Sequence, residues 1–377
     1  MKFLHTADWQ IGMKAVHAGA AGGAVRRERL LAAQRVVDAA RSERAEFILL
    51  AGDVFEDNGV DRALVERVAA ILGSAPCTVF AIPGNHDPLV PGSVWDATAW
   101  ANAANVRILR SAETVEVPGG TLFPCPLREK RSRNDPTAWI PAEGGGIRVG
   151  LAHGTVEGLR TDEPEHPIPR DAAARKRLDY LALGHWHSTA KYEAAGDEET
   201  AAVRMAYSGT PEPTKFGERE SGFVLVVEIP AAGAAPRLKS VATAGLAWLV
   251  IEEELREAGD LRRVRRKIEE VPEPKSTLIE VRLAGILPAA GEAELRRMAA
   301  EIEERFLFAR VNRERLLSPP DGEGWIESLP AGYLRRAAEK LRQRTLQGGD
   351  ASAVARRALL ELYAMSAEAS TEGDESP

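Results

Sequence analysis

The chain has 377 residues, 44% of them hydrophobic and 28% charged, with a formal net charge of −7 and two cysteines, Cys77 and Cys125. Its length exceeds one ordinary core and predicts two folded units plus a tail, and no run reaches the roughly 18 apolar residues of a membrane helix. The acidic balance gives no global signal for a polyanion, and two distant cysteines exclude a disulfide framework or a thiolate metal site. Both are expected as buried free thiols. The start, Met1-Lys2-Phe3-Leu4-His5-Thr6-Ala7-Asp8, has too short an apolar stretch for a leader, so we expect a cytoplasmic protein whose N-terminus is structural.

In chain order, Lys2 to Thr6 and Glu46 to Leu50 read as apolar strands. Between them Arg26 to Arg44 carries Leu30, Leu31, Val36 and Val37 at helical spacing. A helix over Ala63 to Leu72 and a strand over Thr78 to Ile82 repeat the pattern, and Pro83-Gly84 then turns the chain. Further strands are predicted over Ile147 to Ala152, Tyr180 to Leu183, Met205 to Ser208 and Phe223 to Ile229, the last pair closing a second sheet. Pro230 to Pro236 is the best internal loop. Beyond it come a strand (Trp248 to Glu254), a helix (Leu261 to Glu270), a strand (Thr277 to Leu283), a helix (Glu292 to Phe306) and a strand (Ala309 to Arg315), a smaller α/β unit. Amphipathic helices over Ala331 to Thr345 and Ser352 to Ser366, parted by Gly348-Gly349, precede an acidic end expected to be disordered.

Four polar clusters sit where these strands end: Asp8 with Gln10, Asp53, Gly84-Asn85-His86-Asp87, and His153 with His185 and His187. Ligands of open α/β sheets gather at such ends, and carboxylate, amide and imidazole together can hold two divalent ions for displacement at phosphorus. Asp53, on a sharp turn after Leu49-Leu50-Ala51-Gly52, can bridge two ions with its two oxygens, although an Ala-Gly-Asp turn alone is ordinary. The Asn85 amide oxygen can ligate a hard ion, and His86 can donate to phosphate. His185 and His187 project to one side of an extended segment. Of seven histidines, His86, His153, His185 and His187 fall in the clusters, while His5, His17 and His166 read as structural or exposed.

The ordered set Asp8, Asp53, Gly84-Asn85-His86-Asp87, Ala152-His153-Gly154 and Gly184-His185-Trp186-His187 resembles the calcineurin-like metallophosphoesterase superfamily. Three phrases, Leu4-His5-Thr6-Ala7-Asp8-Trp9, Asp179-Tyr180-Leu181-Ala182-Leu183-Gly184-His185 and Tyr207-Ser208-Gly209-Thr210-Pro211-Glu212, are similar to SbcD-type DNA repair exonucleases within it. The resemblance covers residues 1 to about 230, and the later βαβαβ order matches that family's capping domain in order and length only. It implies an α/β (α+β) fold: a four-layer β-sandwich flanked by helices over 1–235, an α/β capping domain over 245–318, C-terminal helices for partner binding over 330–367, and a disordered tail over 368–377.

Carried over by position, the resemblance implies one metal on Asp8, Gln10, Asp53 and His187 and a second on Asp53, Asn85, His153 and His185. His86 would be the catalytic imidazole, with Asp87 assigned beside it as loop support. The two divalent ions would be manganese, the metal usual in that family, with iron, zinc or magnesium as other fits, and would provide a hydroxide for phosphodiester hydrolysis. One departure stands out. The family normally has Asp-x-His in the first motif, whereas Gln10 stands here and offers a weaker amide ligand or merely a contact to water, which predicts a looser first metal.

Arg262, Arg263, Arg265 and Arg266 lie in a basic stretch that could meet DNA phosphates or simply stay solvated. The tail helices could pack on their own protein; by resemblance they would grip an SbcC-type coiled-coil ABC ATPase in a complex where this chain is a homodimer. The sequence therefore predicts a metal-dependent exonuclease and endonuclease subunit of an SbcCD-like repair complex. The alternatives are a stand-alone phosphatase or cyclic-nucleotide phosphodiesterase, and a weakly catalytic DNA-binding scaffold disabled at Gln10.

Overall fold

β1 (Lys2–Thr6), β2 (Phe47–Ala51) and β3 (Thr78–Ile82) are short apolar runs because both of their faces are covered. They run parallel, joined by crossover helices α1 (Gly22–Ser42) and α2 (Arg62–Gly73). Alternate residues serve the two sides. Leu4, Ile48, Leu50, Val79 and Ala81 pack on Val36, Ala40, Val65, Val68 and Leu72 of the helices. Phe3, Phe47, Leu49 and Phe80 instead meet Leu122, Val149, Leu151 and Tyr180 of a second sheet. The structure, a computed structural model, describes residues 1–159, 165–193, 202–287, 289–317, 324–347 and 350–372.

The remaining strands of the first unit are β4 (Val106–Ile108), β5 (Val115–Val117), β6 (Gly120–Pro124), β7 (Ile147–His153), β8 (Tyr180–Gly184), β9 (Ala190–Glu193), β10 (Val203–Tyr207), β11 (Phe223–Glu228) and β12 (Arg237–Ala242). They complete two six-stranded sheets, ordered β12-β11-β1-β2-β3-β4 and β5-β6-β7-β8-β10-β9. β6, β7, β8 and β10 are parallel, and their outer face packs Ala152, Leu181, Leu183 and Met205 on Ala172 and Ala173 of α3 (Ala172–Arg175). This is the helix-flanked, mixed α/β sandwich that the sequence predicts, except that β11, expected in the second sheet, pairs with β1 in the first.

His5 lies between the sheets, fully buried, with Nδ1 on the Tyr180 hydroxyl at 3.0 Å and Nε2 on the Leu183 carbonyl at 3.1 Å. Burial pushes its pKa down to about 3, so it is a neutral structural histidine. Cys125 is buried as expected, but Cys77 is only half-buried.

Several strands escape the periodicity. β4 and β5 have three residues each, too few to show a pattern, and β12, Arg-Leu-Lys-Ser-Val-Ala, is a charged edge strand that pairs with β11 alone among the described residues. Because β12 belongs to the first sheet, the first compact unit runs to Trp248, beyond the expected limit at 235.

The second unit, Leu249–Pro377, holds the βαβαβ order. β13 (Ala247–Leu255), β14 (Thr277–Ile286) and β15 (Phe308–Leu317) form one sheet, with β14 and β15 parallel. Leu261, Val264 and Ile268 of α4 (Leu261–Glu269) and Leu295, Met298 and Ile302 of α5 (Ala289–Arg305) cover it at helical spacing. After α6 (Gly324–Ser328), α7 (Tyr333–Thr345) and α8 (Asp350–Glu372) close on each other through Ala338, Leu341, Leu359 and Leu362. α8 passes the expected end at 367, while Gly348-Gly349 and the end from 373 lie outside the described residues. Among the described residues no helix is long and apolar enough to cross a membrane.

Candidate metal centre

Every polar cluster sits at a strand's carboxyl end, and the turns there are tight. Asp8, Gln10, Asp53 and His185 have φ of 56°, 48°, 53° and 110°, a conformation that non-glycine residues rarely hold and that clusters at functional sites. Glycines make the close approach possible. A Cβ on Gly84 would stand 2.2 Å from Asp53 Oδ1, and one on Gly52 would stand 2.5 Å from His153 Nδ1.

Asp8, Asp53 and His153 offer ligand atoms that all lie within 4.8 Å of one another, and all three are buried. Asn85 and His185 join them. Asn85 Oδ1 is 2.8 Å from His153 Nε2 and 3.1 Å from His185 Nδ1, and the Asp8 carboxylate accepts the His185 backbone N–H at 2.9 Å. His153 Nδ1 is held by the Ala51 carbonyl at 2.8 Å, which turns Nε2 toward Asn85 and Asp53.

The charges are strongly coupled. Burial acts to raise the Asp53 carboxyl, but the His153 imidazole beside it outweighs this and holds it well below the usual range. Burial acts to lower His153, and Asp53 and Asp8 overcome it and push it up. Desolvation raises Asp8 to about 6 against the pull of His153 and His187, and lowers His185 to about 3. Two buried carboxylates and converging imidazoles suit a divalent cation taking the place of a proton. The donor set fits such ions: Asp8, Asp53, Asn85, His153 and His185 would hold them, and they would supply Lewis acidity and an activated water.

The other expected site residues divide by role. The His86 backbone N–H donates to Asp53 Oδ1 at 2.9 Å, and Nδ1 of the half-buried ring sits 2.8 Å from the Glu56 carbonyl, so Nε2 is the nitrogen it would offer to a substrate. His187 is tied through Nδ1 to Thr214 Oγ1 and Glu218 Oε1, both at 2.9 Å, so Nε2 is the nitrogen it would offer to a metal. Asp87, assigned beside His86 as loop support, holds two turns through their backbone N–H groups. It is wholly buried, and its carboxylate accepts the backbone N–H groups of Val54, Phe55 and Gly84 at 2.8, 3.0 and 2.7 Å. Gln10 presents its amide nitrogen to Asp53 Oδ2 at 3.0 Å, so the group facing the expected bridging ligand is a donor and not a metal-binding oxygen.

The basic stretch on α4 is partly committed. Arg263 pairs with Glu253 and Asp260 and Arg265 with Glu301, whereas Arg262 and Arg266 have no ion pair among the described residues.

Sequence reasoning missed three supporting residues. Buried Arg29 donates to the carbonyls of Trp9, Glu212 and Pro213, joining the turn after β1 to the segment that carries Thr214. Glu218 holds His187. Glu165 holds Asn85 and pairs with Arg131, in a second basic run of Arg128, Lys130, Arg131 and Arg133. None has a local signal, because each acts through partners distant in the chain.

The family model for calcineurin-like phosphoesterases matches residues 1–189. The uncharacterized metallophosphoesterase YhaO of Bacillus subtilis is 28% identical over 214 residues, which cover 51% of this chain and 48% of that protein. The chain thus spans about half the length of the curated relative it matches. The crystal structure of TT1561 of Thermus thermophilus is 11% identical with a TM-score of 0.42, covering 64% of this chain and 98% of its own, a likeness too distant to argue from.

Proposed function

The chain belongs to the calcineurin-like phosphoesterase family, a family of phosphoester hydrolases, and we propose that within it the protein is a metal-dependent DNA nuclease. The observation that carries the phosphoesterase chemistry is the convergence of Asp8, Asp53 and His153 with Asn85 and His185 from five strand ends. The narrower reading, an exonuclease and endonuclease subunit of an SbcCD-like repair complex, rests on the three sequence phrases and is supported by the βαβαβ order of the second unit.

In this reading Asp8, Asp53, Asn85, His153, His185 and His187 would hold two divalent cations, manganese by family habit, which would supply an activated water and Lewis acidity at phosphorus. His86 Nε2 offers a proton or hydrogen bond to the oxygens that gain charge or depart. Asp87 keeps the Asn85–His86 turn beside Asp53. The proposal extends to a cytoplasmic homodimer whose α7 and α8 meet an SbcC-type ABC ATPase. A stand-alone phosphatase or phosphodiesterase is the second reading, favoured by the ion pairs that already neutralise Arg263 and Arg265.

The two separate in one assay. Purified protein with Mn2+ is offered linear duplex DNA, single-stranded DNA and p-nitrophenyl phosphate. DNA cleavage is expected, and turnover of the small ester alone overturns the nuclease reading.

A further inference from the structure

We propose that Glu165 is the positioning residue that decides which end of the Asn85 amide faces the imidazoles, an inference that rests on reading the pocket as a metal centre. An amide presents two ends of similar size but opposite hydrogen-bonding sense. Here Asn85 Nδ2 donates to Glu165 Oε2 at 3.1 Å, and the opposite end, Oδ1, stands 2.8 Å from His153 Nε2 and 3.1 Å from His185 Nδ1. A carboxylate only accepts, so Glu165 tolerates the Asn85 nitrogen and repels its oxygen. With the amide reversed, the pocket would receive an N–H pair, which cannot ligate a cation, in place of an oxygen, which can.

Glu165 is itself fixed on three sides. Its backbone N–H donates to Thr155 Oγ1 at 3.3 Å, and its carbonyl accepts the Thr155 N–H at 3.0 Å, two residues beyond His153. Its second carboxylate oxygen pairs with Arg131 Nε at 3.0 Å. The side chain therefore ties the Asn85 turn after β3 to the His153 turn after β7. It orients a ligand without being one, the task that outer hydrogen-bond partners perform in metal sites.

Calorimetric titration of Mn2+ into the full chain tests this. Glu165→Ala is expected to weaken Mn2+ binding about 10- to 100-fold, the usual effect of losing such a partner. Glu165→Gln, whose carbonyl oxygen still accepts from Asn85, is expected to stay within about threefold of the parent. In an Asn85→Ala background, Glu165→Ala should add no further loss. The inference is overturned if Glu165→Ala binds Mn2+ like the parent, or if Glu165→Gln loses as much as Glu165→Ala. A parent protein that takes up no Mn2+ overturns the metal reading itself, a distinct result.

Discussion

Gln10 and Asp53 share a 3.0 Å hydrogen bond in which the Gln10 amide nitrogen donates to Oδ2 of the carboxylate. The resemblance implies an imidazole at position 10, and the amide contact that stands here occupies an Asp53 lone pair that a cation would otherwise use. Gln10→His removes the donor and adds a nitrogen ligand. We predict that the Mn2+ concentration for half-maximal hydrolysis falls at least about tenfold, in line with the effect of a metal-site partner. Unchanged metal dependence would show that a side chain at position 10 does not reach the metals and that its bond to Asp53 does not weaken them.

Gly84 stands so close to Asp53 that a methyl group has no room, since its Cβ would lie 2.2 Å from Oδ1 and 2.4 Å from the backbone nitrogen. Gly84→Ala must push the Asp53 turn away from Asn85. The expected result is loss of Mn2+ binding and a drop in stability of about 1–3 kcal/mol, typical of overpacking. Gly145, which has nothing within 4 Å of its Cβ, is the control, and Gly145→Ala should change neither. Equal behaviour of the two variants in metal titration and urea unfolding would refute the crowding account.

His5 supplies a pH dependence separate from the metal site. Its folded pKa, about 3, lies below its ordinary 6.5, so the stability it contributes is complete above 6.5 and is lost as pH falls toward 3. Between pH 7.5 and 5.5 the parent should lose about 1.4 kcal/mol through this residue. His5→Gln, which can still donate to Leu183 and accept from Tyr180, should lack that part of the loss. Parallel stability–pH curves for the two proteins in urea melts would show that His5 is not buried in neutral form.

The sandwich was legible because its parallel strands are covered on both faces and read as unbroken apolar runs, Phe47 to Ala51 being the plainest. Asp8, Asp53, Asn85, His153 and His185 were legible because strand ends can be located from such runs. Arg29, Glu165 and Glu218 were not. Each earns its place through a partner 20 or more residues away, Trp9 for Arg29, Asn85 for Glu165 and His187 for Glu218, and no local pattern encodes such pairings. Gln10 was visible as a departure, but the direction of its amide depends on Asp53 and could not be read from the chain. Asp87 was legible as loop support beside His86, but the turn after β2 that it also holds, through Val54 and Phe55, has no signal in the sequence.

Those three hydrogen bonds to Asp87 come from two separate turns, Val54 and Phe55 after β2 and Gly84 after β3. One turn cannot loosen without stripping acceptors from the other, and a buried N–H without an acceptor is costly. The turns that carry Asp53 and Asn85 are thereby yoked through one buried carboxylate, so a change that removes it should disturb both ligands at once.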